Sequence, residues 1–166
     1  MSVESMTAGQ VMSRVLVAVK PDESPLMAWE LMRRAGVHHL PVVAGRHVLG
    51  ILTREELAAS WSGGPQEQSI RPVRELLGRE RMPRVGLDMR LDRVAAVMLD
   101  AGVDAVPVLS GGLIGLITAR DVLSAVAGRT GASDGPGEVV TGMFHLEPVL
   151  PPRNEPVPPT RSWREA

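Results

Sequence analysis

The sequence repeats itself, and this constrains what the chain can fold into more than any other feature. Residues 32–43, MRRAGVHHLPVV, match residues 98–109, MLDAGVDAVPVL, at an offset of 66. Downstream, VLGILTREEL from Val48 matches LIGLITARDV from Leu113 at an offset of 65. Self-similarity of this kind marks a supersecondary unit built twice. Each copy, at about 55 to 60 residues, is too small to bury its apolar face comfortably alone, so the two are expected to pack together. The single-residue change in offset falls between AGRH and SGG, around Gly45 and the pair Gly111 and Gly112. A hairpin turn tolerates a length change there.

Within each copy the apolar spacing predicts β, α, β, β, α. Residues 15–19 and 83–87 read as short strands followed by polar turns. A helix follows, with Leu26, Trp29, Leu31, Met32 and Ala35 expected on one face in the first copy. Leu91, Val94, Ala95, Met98 and Leu99 are expected to do the same in the second. Gly36 and Gly102 stand where left-handed residues stop helices. After each hairpin, Thr53 and Thr118 precede Glu56 and Asp121 by three residues, the spacing of a capping box. The organisation expected is repeat 1 over residues 7–62, a flexible linker over 63–70, repeat 2 over 71–127, and a Pro/Gly-rich, flexible C-terminal tail over 128–166.

Composition narrows the chemistry. Hydrophobic residues are 44% and charged residues 22% of 166, the balance of a soluble globular chain, and no apolar run approaches the roughly 20 residues that span a bilayer. The start, MSVESMTAGQ, has no basic segment ahead of an apolar one, so a cytoplasmic protein without a secretory signal is expected. Eighteen Lys plus Arg against nineteen Asp plus Glu, and only Trp29, Trp61, Phe144 and Trp163 as aromatics, argue against a dedicated nucleic-acid binder. The absence of cysteine excludes disulfides, thiol nucleophiles and zinc-thiolate sites. His38 and His39 are neighbours on a strand and point to opposite faces, so no metal site is expected from them. His47 sits in a hairpin turn and His145 in the C-terminal segment, and no Ser-His-Asp order or phosphate loop is present, so no enzyme is expected.

Two copies of a helix, then AGVxxxPV, a hairpin, and a glycine followed by two apolar residues and T-x-x-D/E, resemble a tandem CBS-domain pair, or Bateman module, over residues 11–126. The resemblance implies an α+β fold with the two repeats packed as a pseudo-twofold pair and two equivalent clefts between them. It implies regulatory rather than catalytic work, a homodimer, and adenosine-containing ligands such as AMP, ADP, ATP or S-adenosylmethionine. By resemblance, one cleft has Thr118 and Asp121 on one wall, with Met12, Val17, Val37, His38 and His39 on the other. A carboxylate at a helix start can accept from both ribose hydroxyls, and free N–H groups there favour an anion. Arg120 and Arg54 are candidates for a phosphate, as is His39, although exposed helix arginines are more often solvated. In the other cleft Thr53 is followed by Glu56, one methylene longer than Asp, and the opposite wall is expected to hold Pro83, which lacks an N–H, with Asp104 and Ala105. The Asp121 cleft is therefore expected to bind and the Glu56 cleft to be weak or empty.

Each feature also has a plainer reading. Thr-x-x-acid is an ordinary helix cap, and the Met and Leu stripes are core. Trp29 and Trp61 are candidates for a dimer contact. The first reading is a nucleotide sensor that modulates another, unidentified polypeptide, with no nucleic acid and no membrane involved. The alternative is a ligand-free structural, dimerisation and protein-interaction module whose proline-rich tail recruits a partner.

Overall fold

Glycines and capping residues close the elements of the computed structural model, which describes residues 3–129, 138–141 and 145–148. The first repeat carries α1 (Ala8–Val11), β1 (Val15–Ala18), α2 (Pro25–Ala35), the hairpin β2 (His39–Ala44) and β3 (His47–Thr53), and α3 (Arg54–Ala59). After α4 (Pro65–Ile70) come β4 (Val85–Gly86), α5 (Leu91–Ala101), β5 (Ala105–Leu109), β6 (Leu113–Thr118) and α6 (Ala119–Val126). The β-α-β-β-α order thus occurs twice, as the repeat predicts, in an α+β chain.

Local chemistry explains the helix ends. Ser24 Oγ accepts from the Met27 N–H at 3.2 Å, Pro25 occupies the first turn of α2, and Gly36 ends it at φ 65°. Gly102 ends α5 at φ 64°. The buried stripes are Pro25, Ala28, Leu31 and Met32 on α2, and Leu91, Val94 and Met98 on α5. Leu26, Ala35 and Leu99, expected on those faces, are exposed. Leu26 and Leu99 each lie about 100° round the helix from a buried neighbour, so counting apolar residues over-widened the stripe, whereas Ala35 is the last residue of α2.

Both hairpins are antiparallel and share an irregularity at the same repeat position, between Val42 and Val43 and between Val108 and Leu109. A short strand runs parallel beside each: β4 beside β5, and Val19, just beyond β1, beside Val42.

Neither repeat completes its own core. Ala8 and Met12, which precede β1, are buried with Val85, Leu91, Val94 and Ile117 of the second repeat. Val73, the repeat counterpart of Ala8, is buried with Val19, Met32, Leu40 and Leu52 of the first. Backbone bonds fasten both arms: Ala8 N–H to Met89 C=O at 2.8 Å and Gly9 N–H to Leu87 C=O at 2.9 Å on one side, Val73 N–H to Glu23 C=O at 2.8 Å on the other. A third cluster joins Leu16, Ala18 and Val48 to Ala105, Leu113 and Leu116 across the pseudo-twofold. The arms leave a mark in the sequence at Gly50 and Gly115. A Cβ on Gly50 would lie 2.7 Å from Leu77, and one on Gly115 would run into Met12.

Two segments differ from expectation. Residues 63–70, expected as a flexible linker, contain α4, started by Gly64 and Pro65 and holding a fully buried Gln68 whose Nε2 donates to Ser62 C=O at 2.5 Å. Within residues 128–166, expected to hold no packed element, β7 (Glu138–Thr141) lies parallel to β1 and β8 (His145–Pro148) returns antiparallel to it. The run EVVT carries β-branched residues that suit a strand despite its Pro- and Gly-rich surroundings. Residues 130–137, 142–144 and 149–166, with Phe144 and Trp163, lie outside the described residues. Among the described residues no helix is long and apolar enough to cross a membrane.

Candidate functional site

The turn from α2 into β2 and the start of α6 face each other across the two repeats and enclose a cleft of about 410 Å³. From the first repeat come Ser13, Leu16, Val17, Val37, His38 and His39. From the second come Asp104, Leu116, Thr118, Ala119 and Arg120. The aliphatic walls could hold a flat base, and Arg120 with the two histidines supplies the donors.

Thr118 caps α6 through a closed box. Its Oγ1 accepts from the Asp121 N–H at 3.3 Å, and Asp121 Oδ2 accepts from the Thr118 N–H at 2.7 Å and from its hydroxyl at 2.8 Å. Asp121 is half-buried and does not line the cleft, and its Oδ1 has no partner among the described residues. The helix start is less open to an anion than its sequence implies: the Ala119 N–H already donates to Asp104 C=O at 2.8 Å, and the Asp121 N–H to the cap.

One side-chain contact crosses the cleft. His39 Nε2 lies 2.9 Å from Asp104 Oδ1, and against an ionised carboxylate that nitrogen must donate. The histidine side chain is 15% exposed and the aspartate 65%. Asp104 was expected on the opposite cleft with Ala105. It lines this one instead, and Ala105 is buried in the core between the repeats. Residues beside a pseudo-twofold axis meet each other's counterparts, so the turns before β2 and β5 come together. That symmetry is the signal by which Asp104 could have been assigned. Ser13, Leu16 and Leu116, also missed by sequence reasoning, flank the bridge that pairs Ser13 with Leu116. Met12, expected on the wall, is in the core against Gly115, because its segment belongs to the exchanged arm.

The second cleft, about 390 Å³, is lined by Glu56, Pro83, Glu80, Arg81 and Asp100 among others. Thr53 caps α3 but does not line it: Glu56 Oε2 accepts from the Thr53 N–H at 2.8 Å and its hydroxyl at 3.0 Å. The longer Glu side chain therefore closes the same box as Asp121. Three carboxylates face one arginine here, a field unfavourable to phosphate. The acids responsible are Glu56, Glu80 and Asp100 rather than Asp104. Arg54, the other phosphate candidate, lies over the Trp29 ring, its guanidinium carbon 5.8 Å from the centroid, and lines neither cleft. Among the described residues no group of three His, Asp or Glu side chains is arranged to hold a metal ion.

Comparison with known proteins agrees with the repeated fold. The family model for the CBS domain matches residues 8–63 and 73–128. The solved structure of a protein with CBS domains from Burkholderia ambifaria MC40-6 is 26% identical, covers 78% of this chain and 100% of its own, and has a TM-score of 0.65. The CBS domain of a bacterial CNNM/CorC family Mg2+ transporter, solved in complex with ATP, is 19% identical with a TM-score of 0.67, covering 76% of this chain and 90% of that one. A curated relative, inosine-5'-monophosphate dehydrogenase of Korarchaeum cryptofilum (strain OPF8), is 32% identical over 111 residues. That match covers 66% of this chain and only 22% of the dehydrogenase.

Proposed function

The chain belongs to the CBS-domain family, and from that premise we propose that it is a regulatory module whose cleft at Thr118 and Arg120 binds an adenosine-containing ligand. AMP, ADP, ATP and S-adenosylmethionine are the candidates. Occupancy would be passed to a partner protein in the cytoplasm as a change in the angle between the repeats.

The observation that carries this reading is a two-sided cleft. Aliphatic walls come from both repeats, Arg120, His38 and His39 line the same cleft, and the His39–Asp104 contact ties one repeat to the other. The base would lie among Leu16, Val17, Val37 and Leu116. By the resemblance Asp121 would serve the ribose hydroxyls, and to do so its carboxylate must turn from the cap toward the cleft, which it does not line here. A phosphate at Arg120 would compete with Asp104 for His39, so binding would loosen or re-form the link between the repeats. Such coupling requires the ligand to prefer one arrangement over the other. The fold neighbour solved with ATP supports testing nucleotides first.

The test is a thermal-shift titration with AMP, ADP, ATP, S-adenosylmethionine and a guanine-nucleotide control. A ligand at a hundred times its dissociation constant adds about 2.7 kcal/mol of stability. A shift given by an adenosine compound and lost in Arg120→Ala supports the sensor. A folded protein that shifts with none of them overturns it.

One observation favours the alternative, a ligand-free interaction module: the cap and the α6 N–H groups at Ala119 and Asp121 are satisfied without any ligand. On that reading Arg120→Ala leaves partner binding unchanged, which affinity capture with wild-type and variant protein side by side would reveal.

A further inference from the structure

Equivalent stretches of chain wall the two clefts, yet they differ in conformation. Val19 lies beside Val42 and Val85 beside Val108, and Val42 and Val108 are repeat counterparts, 66 positions apart. Residues 15–18 of the first repeat therefore correspond to residues 81–84 of the second. Leu16 and Val17 line the Thr118 cleft, and Arg81, Met82 and Pro83 line the Glu56 cleft. Val15–Ala18 is a strand, whereas 81–84 is not.

The difference comes from outside both repeats. The β2 hairpin engages the first stretch at Val19, whose N–H donates to Pro41 C=O at 2.9 Å. Val15–Ala18 pairs instead with β7, in parallel, from Val15 beside Glu138 to Ala18 beside Thr141, and β8 closes the outer side of β7. The C-terminal hairpin thus satisfies a strand edge that would otherwise need water. Pro83, the counterpart of Val17, has no N–H to offer a strand at the matching place.

The same stretch also leads into the second repeat. Just before β1, the Ser13 N–H donates to Leu116 C=O at 2.9 Å and the Leu116 N–H to Ser13 C=O at 3.1 Å. Both residues line the Thr118 cleft. Whatever holds β1 extended therefore holds two residues of the cleft wall and stands next to a bridge between the repeats.

We propose that the β7–β8 hairpin is a strap that regulates this cleft. Docked on β1, it holds the wall made by Leu16 and Val17 and steadies the Ser13–Leu116 bridge; released, it loosens both. The pairing is four residues long, short enough for docked and released states to compete. A ligand that needs the formed wall favours docking, and docking strengthens that ligand's binding by the same factor. The ligand half of this proposal rests on the nucleotide reading, while the effect of the strap on the wall does not.

Hydrogen exchange on the full chain tests it. Neighbouring N–H groups of a strand point to opposite sides, so Val139→Pro with Val140→Pro removes one donor of β7 toward β1 and one toward β8. In that variant the amides of residues 16–18, Ser13 and Leu116 are expected to exchange about tenfold faster or more than in wild type, with the β5 amides protected as before. Faster exchange at residues 16–18 alone overturns the link to the cleft, and no change at any of these amides overturns the strap. Val139→Gly with Val140→Gly keeps both N–H groups and is expected to give a smaller change at the same amides; it decides the matter if the proline variant loses its β5 protection. Titration of wild type and variant with AMP and ATP separates the two readings. A nucleotide that binds wild type is expected to bind the variant about tenfold more weakly, and equal binding overturns the coupling. Binding to neither protein overturns the nucleotide reading, and the exchange result then decides the strap by itself.

Discussion

At the scale of single residues, the exchanged arms make the sharpest demands. Gly115 and Gly50 hold equivalent places on β6 and β3, and each receives an arm side chain, Met12 or Leu77, where a Cβ would otherwise stand. Gly115→Ala is expected to lower stability by about 1 to 3 kcal/mol through overpacking. Met12→Ala removes a buried side chain and is expected to cost about 2 to 5 kcal/mol. Urea denaturation of both variants checks the two values. Asp121 performs a duty that does not need a ligand, so Asp121→Ala is expected to cost about 0.5 to 2 kcal/mol as a lost cap. If the sensor reading holds, the same variant also loses its thermal shift with nucleotide. The capping boxes were legible because a Thr and an acid three residues apart meet within one helical turn. The place of Met12 was not, because nothing within several residues of it indicates which repeat it enters.

At the scale of elements, α2 carries a charge cluster on its solvent side. Arg33 Nη2 lies 2.8 Å and Arg34 Nε 2.5 Å from Glu30 Oε1. Hydrogen bonds from Arg33 and then Arg34 hold the Glu30 carboxyl down at about 2, from an ordinary value of 4.5. A depressed carboxyl pKa contributes stability that is fully present above the unfolded-state value and lost as pH falls through the folded one. The melting-temperature gap between wild type and Glu30→Gln is therefore expected to stay constant above pH 4.5 and to close as pH falls toward 2. A gap that does not narrow over that interval would rule the pairing out. Salt should shrink it as well, since the groups are exposed. Helix stops were legible from Gly36 and Gly102, whose effects are local. Stripe width was not: Leu26 and Leu99 fit an apolar count, yet only packing decides how much of a helix is covered. Helix α4 went unread because its six residues show no apolar period and it is held by one buried glutamine.

At the scale of the whole molecule, each repeat depends on the other for part of its core. Thermal unfolding is expected to be one transition, with the calorimetric enthalpy equal to the van't Hoff value. Two resolved transitions, or a first repeat that melts unaffected by Val73→Ala, would contradict that interdependence. What the sequence determined by itself is the set of things decided within a few residues: two repeats, their strands and hairpins, the helix stops, and the T-x-x-acid capping boxes of α3 and α6. Local hydrogen bonds and side-chain period act over one or two turns of chain, so spacing alone encodes them. The tertiary structure decided which repeat each arm completes, that Asp104 meets His39 rather than facing Glu56, and that Asp121 does not line the cleft. The His39–Asp104 contact joins residues 65 positions apart, and such partners are selected only when two units of similar sequence pack about a common axis and bury the surface between them.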